Sequence, residues 1–179
     1  ATRVCSVVAV ASHRPVKNHE TLLRACAAAR ADGAALRLLL VGDGPRLEAH
    51  RHLADALGLG DVVTFRPPHP AVLLDIAAAD VFVIASDLEG QPLVLLEAMA
   101  TGRAVVATTV GRATELLDDT CGRLVPPGDG AALAAALCEL AADGELRTRL
   151  GAAARVAIAP HSLSRAIDHH LAVYEGALA

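Results

Sequence analysis

Glu89 and Glu97 stand with seven residues between them, and from Pro92 to Ala100 every residue except Glu97 is apolar. Carboxylates accept hydrogen bonds from hydroxyls. Pro92 fits the first position of a helix, because it lacks only an amide hydrogen that would be orphaned there. Gly102 fits the stop, where a positive φ is wanted. A helix over 92–100 with no polar face is expected to be buried, so the Glu97 carboxylate needs a partner. The free amides of Leu93 and Val94 would favour an anion at the helix start. Amides holding phosphate, with Glu89 and Glu97 accepting from hydroxyls, suit a phosphorylated, sugar-like ligand. The same spacing also suits a rim glutamate on a half-exposed helix and a solvated turn residue, and spacing alone leaves both open.

The flanking segments must position this turn. Residues 80–85 and 104–107 are short apolar runs of the buried-strand type. The rest of the chain repeats that alternation. A strand over 4–11 ends in a loop at 12–18 carrying Arg14 and Lys17, and Asn18 can cap the helix that follows. A strand over 36–41 runs into Gly42 and Gly44, then a helix opened by Pro45 that reaches about Leu57. A short strand over 62–65 precedes Arg66, Pro67 and Pro68, then a helix over 71–79. After the strand at 104–107 come a short helix over 111–117, a strand over 122–125 and an alanine-rich helix to about Ala142. Helices over 145–159 and 161–177 complete the chain. Six strands alternating with helices, and no hairpin signal, predict an α/β fold: a doubly wound, Rossmann-like six-stranded parallel sheet with helices on both faces. Ligands of such sheets sit at the carboxyl ends of the strands, and every candidate named here follows a strand.

Composition excludes several classes. The 179 residues suffice for one domain with a real core, and a 54% hydrophobic, 20% charged chain is globular. A net charge of −4 gives no electrostatic case for nucleic acid, and two Phe, one Tyr and no Trp leave no base-stacking platform. Cys5, Cys26, Cys121 and Cys138 are scattered with no paired motif, reading as small buried thiols in a reducing compartment. No run reaches membrane-spanning length, and no signal peptide is visible. His50 and His52 point different ways on a helix, as do adjacent His169 and His170, so neither is a metal pair. His13 and His19 flank the basic loop, within reach of phosphate but expected as solvated loop residues.

The motif spanning Glu89-Gly90-Gln91-Pro92 to Glu97 resembles the E-x7-E signature of GT-B retaining glycosyltransferases of family GT4. Gly102-Arg103-Ala104-Val105-Val106-Ala107-Thr108, Val110-Gly111, Glu115 and Gly122-Arg123-Leu124-Val125-Pro126-Pro127-Gly128-Asp129 are similar to further segments of that family. The resemblance runs from about residue 4 to about 155. It implies the donor-nucleotide-binding half of a GT-B fold, spanning 1–179 with a C-terminal helix at 161–178. It also implies an acceptor-binding N-terminal domain that is not in this chain, so that the chain alone would be inactive. By the resemblance, Glu89 is the catalytic-centre residue and meets the donor sugar with Gly90 and Gln91. Glu97 binds ribose. Lys17, Arg14 and the Leu93 and Val94 amides hold the diphosphate, although the family arginine falls on Ser12 and Arg14 lies two residues on. Gly42, Arg66 and Pro67 lie near the base. The substrate would be a nucleotide-diphosphate sugar, UDP- or GDP-linked, with no metal and no other cofactor. The protein would be cytoplasmic, or held at the inner membrane surface through the other domain. A non-catalytic nucleotide-sugar module and a nucleotide-sugar epimerase half are the competing readings.

Overall fold

The computed structural model describes residues 3–178. In chain order its elements are β1 (Cys5–Val10), α1 (His19–Ala31), β2 (Leu36–Val41), α2 (Leu47–Ala56), β3 (Val63–Arg66), α3 (Val72–Ala78) and β4 (Val81–Ile84). Then come α4 (Leu93–Ala100), β5 (Ala104–Thr108), α5 (Ala113–Leu116), β6 (Arg123–Val125), α6 (Gly130–Ala142), α7 (Gly144–Ile158) and α8 (Leu163–Leu178). The strands form one parallel sheet in the order β3-β2-β1-β4-β5-β6. The predicted doubly wound architecture is therefore the observed one.

Both faces of the sheet are covered, so its inner strands are near-continuously apolar rather than alternating, interrupted by Ser6, Arg37 and Thr108. Along β1, Cys5, Val7 and Ala9 face a core shared with α1 and α6, while Val8 faces the opposite core with Leu95 and Met99 of α4. Phe82, Leu95 and Leu137 are among the largest fully buried side chains, each worth about 1.5–3 kcal/mol by removal from water. Helix α7 bridges the layers: Leu146 and Leu150 join the first core, Ala154 and Ile158 the second. Asp129 and Asp143 cap α6 and α7, accepting from the Ala132 and Leu146 amides at 2.8 Å.

Three expectations change. Pro92 is the cap of α4 rather than its first residue, with an extended ψ of 98°. Helix α4 is not buried all round, since Leu93 is 66% exposed; the face carrying Leu95, Ala98 and Met99 is fully in the core, with Val94 and Leu96 packed at its margin. The stop at Gly102 is as expected, with φ +70°. Finally, His13 and His19 are not solvated loop residues but are buried, as is His50. Of the adjacent pair at the C-terminus, the His169 side chain lies outside the described residues. Among the described residues no helix is long and apolar enough to cross a membrane.

Candidate functional site

The strand order reverses between β1 and β4, which is where a doubly wound sheet opens a crevice at its carboxyl edge. A cleft of about 280 Å³ occupies that crevice, bounded by Lys17, Ser86, Glu89, Gln91, Leu93 and Val94. The loops after β1 and β4 are tied together across it. Asp87 donates its amide to Val16 O at 2.8 Å, and Asn18 Nδ2 donates to Asp87 Oδ1 at 2.7 Å while Asn18 Oδ1 caps α1. Asn18 holds a positive φ of 47°, a conformation its short polar side chain tolerates.

Within the cleft Lys17 Nζ donates to Glu89 Oε1 at 2.6 Å, and Ser86 Oγ donates to the same oxygen at 2.7 Å. Both members of the ion pair are mostly shielded, at 24% and 13% side-chain exposure. Lys17 has three donors and spends one here. Glu89 Oε2 takes no hydrogen bond among the described residues, so one carboxylate oxygen is free to accept from a ligand hydroxyl. The first amides of α4, on Leu93 and Val94, have no protein acceptor among the described residues, because the first intrahelical bond at this end runs from Leu95 N to Pro92 O. A cation, a carboxylate and open amides thus face one space.

Glu97 is half-buried and does not bound the cleft itself. It lies one turn along α4 from Leu93 and Val94, on the helix face they share. No described residue hydrogen-bonds its carboxylate, which half-exposure leaves open to water, so the need for a partner expected from full burial falls away.

The remaining candidates are placed apart. Arg14 is exposed and its side chain makes no hydrogen bond or ion pair among the described residues. Gly42 borders a neighbouring, largely apolar cleft of about 250 Å³ with Pro68 and His69. The Arg66 guanidinium turns away to pair with Asp75, which also binds His69 Nε2 at 2.7 Å. Pro67 is exposed. Gly42 has a packing role of its own: a Cβ there would lie 2.0 Å from Ala11 O.

Sequence reasoning missed the support behind Glu89. Gly111 has φ +51°, and a Cβ on it would sit 2.3 Å from Gly90 O and 2.4 Å from Glu89 O. The next residue, Arg112, donates its amide to Gly90 O at 3.0 Å, and buried Thr108 Oγ1 holds Ser86 O at 2.7 Å. The β5–α5 connection is therefore the backstop of the 86–91 turn. The only signal for it was a lone Val-Gly pair after a strand.

A wider open groove of about 1340 Å³ lies at the other end of the sheet, lined in part by Arg3, Arg103, Arg147, Arg149 and Arg155. Size does not make it the better site. Arg103 spends its guanidinium on the Thr101 and Ala79 carbonyls at 3.2 and 3.3 Å, Arg147 caps the Ala141 carbonyl at 3.2 Å, and Arg3 is paired with Asp80 at 2.8 Å. Among the described residues no group of three or more His, Cys, Asp or Glu is placed to hold a metal ion.

Residues 4–143 match a family described as glycosyl transferases group 1. The D-inositol 3-phosphate glycosyltransferase of Geodermatophilus obscurus is 40% identical over 176 residues, covering 92% of this chain and 38% of that protein. The GDP-mannose-dependent alpha-(1-6)-phosphatidylinositol monomannoside mannosyltransferase of Mycobacterium tuberculosis is 36% identical, over 84% of this chain and 42% of its own length. The chain thus spans about two fifths of these relatives. Among solved structures, Anabaena HepE in complex with UDP superposes with a TM-score of 0.88 at 23% identity, over 97% of this chain and 49% of the other. A glycosyltransferase from Rickettsia africae superposes with a TM-score of 0.88 at 22% identity, over 99% of this chain and 49% of the other.

Proposed function

The chain belongs to the glycosyl transferases group 1 family, and from that premise we propose that its cleft binds a nucleoside-diphosphate sugar and presents the sugar for transfer with retention of configuration. The observation that carries this is the convergence of Lys17, Glu89 and the open α4 amides at the β1/β4 crevice. HepE, which shares the fold, was solved with UDP.

In the proposed complex the diphosphate lies against the Leu93 and Val94 amides and the two unspent donors of Lys17, with Arg14 swinging in from the rim. As the sugar–oxygen bond breaks, negative charge grows on the departing diphosphate. Preset donors hold that charge more strongly than they hold the ground-state ester, which lowers the barrier. Glu89 Oε1 is already committed to Lys17 and Ser86. Its role is therefore to position the sugar through Oε2, with Gly90 and Gln91 beside it, rather than to act as a free base. Glu97 accepts from the ribose hydroxyls, and the base lies toward Gly42, Arg66 and Pro67. We propose that the reaction needs no metal, which a chelator titration tests, and that the acceptor is supplied by a second domain.

Calorimetric titration with UDP-glucose and GDP-mannose tests the reading. One of the two is expected to bind saturably, and Glu97→Ala to weaken it by about 1–3 kcal/mol, the usual loss of a charged hydrogen-bond acceptor. Binding indifferent to that substitution would overturn the ribose assignment. Robust sugar transfer by the 179-residue chain alone would overturn the need for a second domain.

A further inference from the structure

The loop carrying Lys17 is bracketed by two histidines that the proposed chemistry does not use. His13 precedes it, His19 opens α1, and His50 of α2 closes on them from the side. All three are buried. The rings cluster closely, two pairs tilted and one edge-on, with centroid distances of 4.5 Å for His13–His19, 5.1 Å for His13–His50 and 5.4 Å for His19–His50. His13 Nδ1 and His50 Nδ1 are 2.8 Å apart. Two imidazole nitrogens at that distance hold one proton between them, as donor and acceptor. Among the described residues His13 Nε2 and both ring nitrogens of His19 make no hydrogen bond of ordinary length and angle, and only the Ala11 and Ser12 carbonyls lie near enough to His19 to favour its protonated form.

We propose that His13, His19 and His50 are positioning residues forming an acid-sensitive latch, which keeps residues 12–19 closed and so holds Lys17 at the cleft. The latch concerns the fold alone; its effect on ligand binding rests on the reading above.

The latch is tied directly to the loop backbone. His13 N donates to Asp43 O at 2.9 Å, and His13 O accepts from Arg46 N at 3.0 Å. Gly44 packs so tightly here that a Cβ would lie 2.8 Å from His13 N and O. A shift of the His13 ring therefore moves the strand of chain that leads to Lys17. Few groups compensate a charge in the cluster. Asp43 and Arg51 face His13 with opposite signs, Glu20 and Arg46 face His50 with opposite signs, and His19 faces the other two rings and the Ala11 and Ser12 carbonyls. Arg46 is already paired with Glu20 at 2.5 Å, and Phe65 closes the apolar side of His13. Burial, with the neighbouring imidazoles next, pushes His13 and His19 down to about 4, and burial lowers His50.

An opened loop would return these rings to water and to their ordinary range. Protons then favour the open form as pH falls from the ordinary histidine value toward the depressed one. For His13 or His19 alone, held at about 4 instead of 6.5, opening should rise about thirtyfold between pH 7.5 and pH 5.

Hydrogen exchange of residues 12–19, corrected for intrinsic rates, reads this directly. The wild-type chain should show at least that rise in opening, and the His13→Leu, His19→Leu, His50→Leu triple variant less than threefold. An equal rise in both, or none in the wild type, would overturn the latch. Where the triple variant does not fold, the imidazole carbon resonances of the wild type decide: titration below about pH 5.5 supports the latch, and titration near pH 6.5 overturns it. UDP-glucose, whose diphosphate does not titrate in this range, should lose affinity on acidification in the wild type but not in the variant, and parallel losses would overturn the coupling. If UDP-glucose fails to bind the wild type even at pH 7.5, the cleft assignment falls while the exchange result stands.

Discussion

Gly111→Ala is the substitution that most sharply separates backbone strain from contact. Position 111 has φ +51°, where a Cβ costs about 1–2 kcal/mol by its own geometry. The added methyl would also lie 2.3 Å from Gly90 O and 2.4 Å from Glu89 O, both backbone atoms that cannot rotate away. Forcing such a contact in a packed site costs a further 1–3 kcal/mol or so. The total loss is thus about 2–5 kcal/mol, a large share of the stability of a domain this size. Gly128→Ala is the control, because φ there is +73° but nothing lies within 4 Å of the Cβ. It should show the conformational cost alone. Urea unfolding of both variants measures the difference, with unchanged m-values showing that stability and not the extent of unfolding has changed. Because the contact falls on the Glu89–Gly90 carbonyls, Gly111→Ala should also weaken nucleotide-sugar binding while Gly128→Ala leaves it alone. Equal destabilisation by the two substitutions would refute the claim that the β5–α5 connection is the backstop of the Glu89 turn.

Three further outcomes follow from the same geometry. His19 is lowered to about 4, chiefly by burial, so the unfolded chain binds more protons between that value and 6.5; stability should fall as pH drops through this window, by up to about 3 kcal/mol for this residue, and denaturant unfolding at pH 7.5 and 4.5 should show a smaller drop in His19→Leu. Asp129→Ala removes the α6 cap on the Ala132 amide and should cost about 1 kcal/mol, visible as a lower urea midpoint. Burial pushes Cys5 to about 11 and Cys26 to about 12, so iodoacetamide at pH 8 should label partly exposed Cys138 first and reach Cys5 and Cys26 only after unfolding, as peptide mapping would show.

The elements of this fold were legible because most strands are short apolar runs and several helices carry a local start or stop: Asn18 before α1, Gly102 after α4, Asp129 before α6. Glu89 and Lys17 were legible as a site because each follows a strand at the same edge of the sheet. What was not legible is what depends on contacts between distant segments. Nothing near His13 says that its loop folds back against His50, thirty-seven residues on. Those rings are buried because α2 closes over them, not because of any local pattern. Likewise Gly111 is required by Gly90, which the sequence places twenty-one positions earlier. Leu93 was expected inside because α4 is apolar, but apolarity reports how a helix tolerates burial, and here one side of it borders the open cleft.

Amide chemical-shift mapping with UDP-glucose or GDP-mannose tests the location of the site most directly. The largest changes should fall on Lys17, Glu89, Gly90, Leu93 and Val94, the residues gathered at the crevice between the first and fourth strands. Changes centred instead on Arg103, Arg147 and Arg155, at the far end of the sheet, would contradict it.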